Sequence, residues 1–303
     1  MTMARCDGVF APVITPFTEA LEIDLENYLH HCRWLQSQGA GLAVFGTNSE
    51  AASLGLAEKL EALEALVANG IDPARLMPGT GSCALPDTVA LTRKAMSLGC
   101  AGVLMLPPYY YKNVSDDGLY SYFAEVIDRV ADARLRIYLY HIPAVSGVAI
   151  SHPLIERLAH AYPEQIAGIK DSSGDAAHLA QLNELQVPDF RVFCGSESLL
   201  LENLRQGGAG CISATANVNP GPIRALFTHW QDEDAESRQQ QLNQVRELFQ
   251  RFPMIPALKT VVGEFSARPG WSRVRPPLLP LPTETRRKLL DEIRGVDFQM
   301  PDI

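Results

Sequence analysis

Short apolar runs alternate with helix-patterned segments along most of this chain, and that alternation limits the fold more than any other feature. The runs lie near 8–15, 42–46, 75–79, 102–107, 136–142, 166–170, 191–194 and 210–213. Amphipathic stretches follow near 24–38, 57–69, 86–99, 117–131, 153–162, 176–186, 198–207 and 220–230. Strand and helix in regular alternation predict parallel strands joined by crossover helices. Eight such units suit closure into an α/β fold of the (β/α)8 TIM barrel type. The run GVLMLP (102–107) is apolar throughout, as befits a strand covered on both faces.

Helix signals agree with this spacing. Asp24 stands where it can cap a helix carrying Leu25, Tyr28, Leu29, Cys32 and Leu35 on one side. AEKLEALEALVA (57–68) repeats leucine at helical spacing. Gly99, Gly207 and Gly208 sit just past helix ends. Beyond residue 230 the alternation stops, so the chain divides into a barrel over 1–230 and a C-terminal helical extension over 231–303, packed on it. Helices are expected near 234–251, 256–266 and 283–294, with the proline-rich SRVRPPLLPLP (272–282) as an extended connector.

Composition narrows the function. A net charge of −9 argues against a nucleic-acid or anionic-membrane partner, which would favour a basic face. No apolar stretch is long enough to span a bilayer. The start MTMARCDGVF lacks a long apolar segment, so no secretory signal is expected. The six cysteines are scattered without a CxxC pair, which fits a reducing cytoplasm.

Barrel chemistry belongs at the C-terminal ends of the strands. Lys170 closes the sixth run, and a neutral amine there can attack a ketone and form a Schiff base. Tyr140 ends the fifth run, where a phenol can shuttle protons if another hydroxyl holds it. Thr47 is a candidate for that hydroxyl, and one of Tyr109, Tyr110 and Tyr111 could complete the relay. In GTNSE (46–50), backbone amides with the Thr47 and Asn48 side chains could hold a carboxylate. Gly79, Gly81 and Ala84 have a GxGxxA spacing but lack the acidic residue that a dinucleotide site needs about twenty positions on. The histidines show no HxH or HExxH pattern, and His141 has no evident partner ligand, so no metal is expected. No GxSxG elbow is present.

These segments carry a resemblance. GTNSEA is similar to a GTTGE or GSTGE motif, and PPYYYK (107–112) to a tyrosine-pair segment. YHIPAVSGV (140–148) is similar to YNIPALSGV, GIKDSSGD (168–175) to a Schiff-base motif, and GCISATANVNP (210–220) to GVISVTANV. Together they resemble the dihydrodipicolinate synthase and N-acetylneuraminate lyase superfamily of class I pyruvate aldolases, over nearly the whole chain. The resemblance implies that Lys170 forms an imine with pyruvate or another 2-keto acid, with no other cofactor. It implies that Tyr140 is the acid/base, linked through Thr47 to Tyr110 lent by a neighbouring subunit, with Tyr109 or Tyr111 as the alternative one position away. Thr47 and Asn48 would hold the keto-acid carboxylate, Gly195 and Ile212 would line the site through carbonyls, and Ser172 would lie beside it. The usual assembly would be a homotetramer built from two tight dimers.

Departures from the family pattern bear on substrate. Asn48 and Ser49 replace a hydroxyl residue and a glycine. Val145 stands where true synthases carry the arginine that binds aspartate semialdehyde, and valine cannot clamp a carboxylate. Glu197 and Ser198 occupy positions that contact the hydroxylated tail in sialic-acid lyases. The expected activity is therefore aldol cleavage or formation of a 2-keto-3-deoxy or 4-hydroxy-2-keto acid. The alternatives are the synthase itself, a dehydratase of a sugar-derived keto acid, and a non-enzymatic keto-acid sensor.

Overall fold

A computed structural model describes residues 5–303. In chain order the elements begin β1 (Gly8–Ala11), α1 (Leu25–Ser37), β2 (Gly41–Leu42), α2 (Leu56–Ala68), α3 (Leu85–Ser97) and β3 (Val103–Met105). They continue α4 (Asp116–Val130), β4 (Ile137–His141), α5 (Pro143–Ser146), α6 (His152–Ala161), β5 (Ile166–Asp171), α7 (Ala176–Asn183) and β6 (Arg191–Cys194). Last come α8 (Leu200–Arg205), β7 (Gly210–Ile212), α9 (Pro220–Thr228), α10 (Ala235–Gln250), α11 (Met254–Phe265) and α12 (Thr283–Arg294). Two compact units emerge: the chain up to Gly8 with Asp72–Ile212, and Val9–Ile71 with Ser213–Ile303.

In the first unit, β3, β4, β5, β6 and β7 pair as parallel neighbours in that order. Every residue of β4 and β5 is buried, the polar His141, Lys170 and Asp171 at their ends included. A side chain at Gly168 would meet the Arg191 carbonyl oxygen at 2.1 Å, so this strand pair tolerates only glycine there. Asn203, fully buried, donates from Nδ2 to the Val192 and Gly210 carbonyls at 3.1 and 3.0 Å and ties β6 to β7. Ser115, Ser151 and Asp175 cap α4, α6 and α7.

The run near 75–79 differs from its expected strand. It makes a single parallel bridge, Gly79 to Leu104, with Thr80 N–H on the Leu104 carbonyl and Leu104 N–H on the Pro78 carbonyl. Pro78 has no N–H to extend a ladder. A Cβ at Gly81 would meet the Leu106 backbone at 2.4 Å, so the glycine there serves close backbone approach, not a nucleotide. The first run is strand only over Gly8–Ala11, and the second only over Gly41–Leu42.

In the second unit, β1 pairs with β2 in parallel, Phe10 beside Gly41. Asp24 caps α1, its carboxylate accepting the Asn27 N–H at 3.1 Å. Tyr28, Cys32 and Leu35 are buried as the helical spacing predicts, and the same face buries His31 between the rings of Trp34 and Trp271. Asn217 is buried and satisfied: it accepts the Ile14 N–H and donates to the Pro12 and Ala214 carbonyls. The helices α9 to α12 belong to this unit with residues 9–71.

Candidate active site

In the first unit, strand register sets the centre. Lys170 pairs with Tyr140 on one side and Phe193 on the other. Lys170 and Tyr140 are each 3% exposed, and the lysine Nζ stands 4.2 Å from the centroid of the tyrosine ring. A shielded amine and a phenol on adjacent strand ends are the two groups that imine formation and proton transfer need. Cys211 has Lys170 and Glu197 among its charged neighbours, and its thiol is pushed well up by Cys194 and by burial. It therefore stays a neutral thiol and does not compete as a nucleophile.

The backbone beyond Lys170 is held on three sides. Ser172 N–H donates to the His141 carbonyl at 2.7 Å, and Gly195 N–H donates to the Asp171 carbonyl at 2.6 Å. A Cβ at Gly195 would lie 2.2 Å from Ser172 Oγ, so only glycine fits. Asp171 is buried and accepts from the Ser173 N–H and hydroxyl at 3.1 and 2.8 Å. Ile212 is buried at the end of β7. Glu197, also buried, opens a single 3-10 turn over Glu197–Leu199, and the Ser198 hydroxyl lies 3.1 Å from that of Ser196.

Two of the expected residues are exposed. Val145, on α5, is 66% exposed, and Tyr110 is 75% exposed. Tyr110 packs edge-on against Tyr111, which is equally bare at 73%. Within one chain the Tyr110 side chain therefore lies open to solvent, unlike the buried Lys170. Lys112 latches this loop to α5, donating to the Ser146 carbonyl at 2.6 Å and to the Tyr109 carbonyl. The Tyr109 hydroxyl is pushed up by burial and by Cys83.

His141 does have acidic and imidazole neighbours, contrary to the sequence reading. Its donor atoms lie within 4.8 Å of those of Asp171 and His178, and its ring stacks on that of His178. The signal was hidden because His178 comes from α7, far along the chain. Chemistry argues against a cation here. His141 Nδ1 accepts the Ile150 N–H at 3.1 Å, which leaves the ring proton on Nε2 and no lone pair for an ion. Burial pushes the His141 ring down, so it favours the neutral form.

In the second unit, Thr47 and Asn48 lead a single 3-10 turn, Thr47–Ser49. Gly46 N–H donates to the Ser49 hydroxyl at 3.1 Å, and the Thr15 hydroxyl donates to the Ser49 carbonyl at 2.8 Å. Glu50 follows in the left-handed region, at φ 58° and ψ 33°, with its side chain buried. Its carboxylate accepts from Lys259 Nζ and from the Arg275 N–H, the latter at 2.8 Å. Lys259 lies within the helix expected near 256–266, yet its side chain is buried. The clue was available: it is the lone charge in the apolar run MIPALKTVV.

A parallel α/β array with a shielded lysine beside a tyrosine near its strand ends is the arrangement of a barrel lyase of the aldolase class, and the relatives of this chain agree. The chain belongs to the dihydrodipicolinate synthetase family, whose model matches residues 5–295. It is 37% identical over 286 residues to an uncharacterized DapA-like lyase of Chloroflexus aurantiacus, covering 93% of this chain and 94% of the relative. YagE, a prophage protein of the dihydrodipicolinic acid synthase family from E. coli K12 solved with pyruvate, superposes with a TM-score of 0.88 at 29% identity, covering 98% of this chain and 100% of that one. A variant of the 2-keto-3-deoxygluconate aldolase of Sulfolobus solfataricus superposes with a TM-score of 0.85 at 25% identity, covering 95% of each chain. The fold class is thus the barrel with C-terminal helices, and the protein is a lyase. No helix among the described residues is long and apolar enough to cross a membrane.

Proposed function

We propose that this lyase cleaves or forms a C–C bond in a 2-keto-3-deoxy or related 4-hydroxy-2-keto acid through an imine on Lys170. The observation that carries the reading is the buried Lys170–Tyr140 pair on adjacent strands. Lys170 Nζ adds to the C2 carbonyl, and loss of water gives the imine. Tyr140 takes the proton of the C4 hydroxyl as its own hydroxyl proton passes to Thr47. The C3–C4 bond breaks, its electrons moving toward the imine nitrogen, and an aldehyde leaves. The enamine is reprotonated at C3, and water releases pyruvate and the free lysine. Written in reverse, the same steps make the bond. No metal or separate cofactor enters them.

In this reading Thr47 passes the proton between Tyr140 and Tyr110 of a neighbouring subunit, while Thr47 and Asn48 hold the keto-acid carboxylate. Gly195 and Ile212 offer carbonyls to the bound acid, and Ser172 borders it. Val145, Glu197 and Ser198 face the rest of the substrate. The exposure of Tyr110 and Tyr111 supports an assembly that covers them, read here as a homotetramer of two dimers. We read residues 231–303 as an extension on a barrel of residues 1–230, and the enzyme as cytoplasmic, acting on small molecules. The synthase reaction with aspartate semialdehyde is the second reading, favoured by the family's name. Val145 weighs against it, because it supplies no cation for the semialdehyde carboxylate.

Borohydride reduction in the presence of pyruvate tests the chemistry. A reduced pyruvyl adduct should appear on Lys170 and be absent in Lys170→Ala. An equal adduct in that variant would overturn the assignment. Pyruvate release from a panel of hydroxy-keto acids then ranks the substrates.

A further inference from the structure

We propose that Glu50 and Lys259 are positioning residues: their buried ion pair lets helix α11 fix the Thr47–Ser49 turn, and so the grip on the keto-acid carboxylate. This rests on the reading above, in which Thr47 and Asn48 make that grip.

The geometry carries the inference. Both side chains are fully buried, 0% exposed for each partner. A buried charge pair is weak evidence for stability and needs another reason to exist. Here each group does more than neutralise the other. The Glu50 carboxylate spends one oxygen on Lys259 and the other on the Arg275 N–H. Lys259 also donates to the Arg273 carbonyl at 2.6 Å and stands 4.3 Å from the centre of the Phe17 ring. Arg275 in turn donates to the Ser53 and Leu21 carbonyls and pairs with Glu58. One carboxylate thus joins α11, the segment around 273–275 and the turn that begins at Thr47.

The backbone gives the link its purpose. Glu50 holds a left-handed conformation that residues with a Cβ avoid, and it closes the turn through its N–H on the Thr47 carbonyl at 3.1 Å. Such a conformation persists only where the surroundings over-determine it. The Glu50 side chain is that surrounding constraint, three residues from Thr47 and two from Asn48. Burial draws the Lys259 amine down to about 8, opposed by Glu50, so the pair is under electrostatic load as well.

The test separates positioning from mere stability. The quantity read is the pyruvate concentration that gives half-maximal borohydride adduct on Lys170, measured well below the melting midpoint of every protein used. Lys259→Met and Glu50→Gln should each raise it about tenfold or more while the adduct at saturating pyruvate stays. The double variant Glu50→Gln/Lys259→Met should keep the raised half-saturation, because it too lacks the pair that fixes the turn, while its melting midpoint recovers toward wild type, because it leaves no unpaired buried charge. Arg136→Met serves as the control: Arg136 is buried and paired with Glu164 in the other unit, so its loss should lower the midpoint without moving half-saturation. Half-saturation unchanged in both single variants, or raised equally by Arg136→Met, overturns the inference. No Lys170 adduct in wild type at saturating pyruvate instead overturns the imine reading beneath it.

Discussion

At the scale of residues, the site separates groups that react from groups that hold. Tyr140→Phe removes a proton carrier and leaves Lys170 in place. Turnover should drop by about 100-fold or more, as for loss of a general acid–base, while borohydride still traps pyruvate on Lys170. Rate measurements beside adduct mass spectrometry check both halves. His31 offers a different reading, of stability. Its ring is pushed from 6.5 down to about 3 by burial, opposed by the hydrogen bond with Asn217. Below 6.5 an unfolded histidine takes up a proton that the folded one refuses, so its full contribution to stability holds above 6.5 and is lost as pH falls toward 3. Denaturant midpoints measured from pH 7 to pH 4 should fall steadily, and His31→Phe should flatten that slope without abolishing it, because His141 is also pushed down.

At the scale of elements, the Glu50–Lys259 link predicts a stability result distinct from its effect on binding. Lys259→Met leaves a buried carboxylate with only the Arg275 N–H, and such broken pairs cost about 3–5 kcal/mol. Urea unfolding at neutral pH should show that loss, with much of it recovered in the double variant. This link also marks where sequence reasoning stopped. The eightfold alternation was legible because strands covered on both faces read as apolar runs, and α1 was legible from Asp24 and its leucine spacing. The third strand was not, because its reduction to one bridge depends on Pro78 and on how closely Gly81 approaches Leu106. Lys170 and Tyr140 could each be singled out at a strand end, but their pairing needs a register that no local pattern encodes. Lys259 was passed over because a lysine in a helix reads as solvent-facing until the packing of α11 is known.

At the scale of the whole molecule, the exposed Tyr110 makes a claim about assembly. If its hydroxyl serves a neighbouring subunit, Lys170→Ala and Tyr110→Phe damage different sites of the same dimer. Each alone should be nearly inactive. Co-expressed, they should form hybrids with one intact site, recovering about a quarter of wild-type activity for random pairing. No recovery in verified hybrids would place Tyr110 in its own subunit's site. The latch from Lys112 to Ser146 adds a practical consequence. Ser146 Oγ donates within its own turn and accepts the Val148 N–H, so the backbone under Val145 is fixed while its side chain is bare. Position 145 is therefore a socket with interchangeable fittings. A saturation library there should yield mostly folded enzymes whose preferences for the aldehyde partner differ, whereas the same library at Gly195 should yield mostly wreckage.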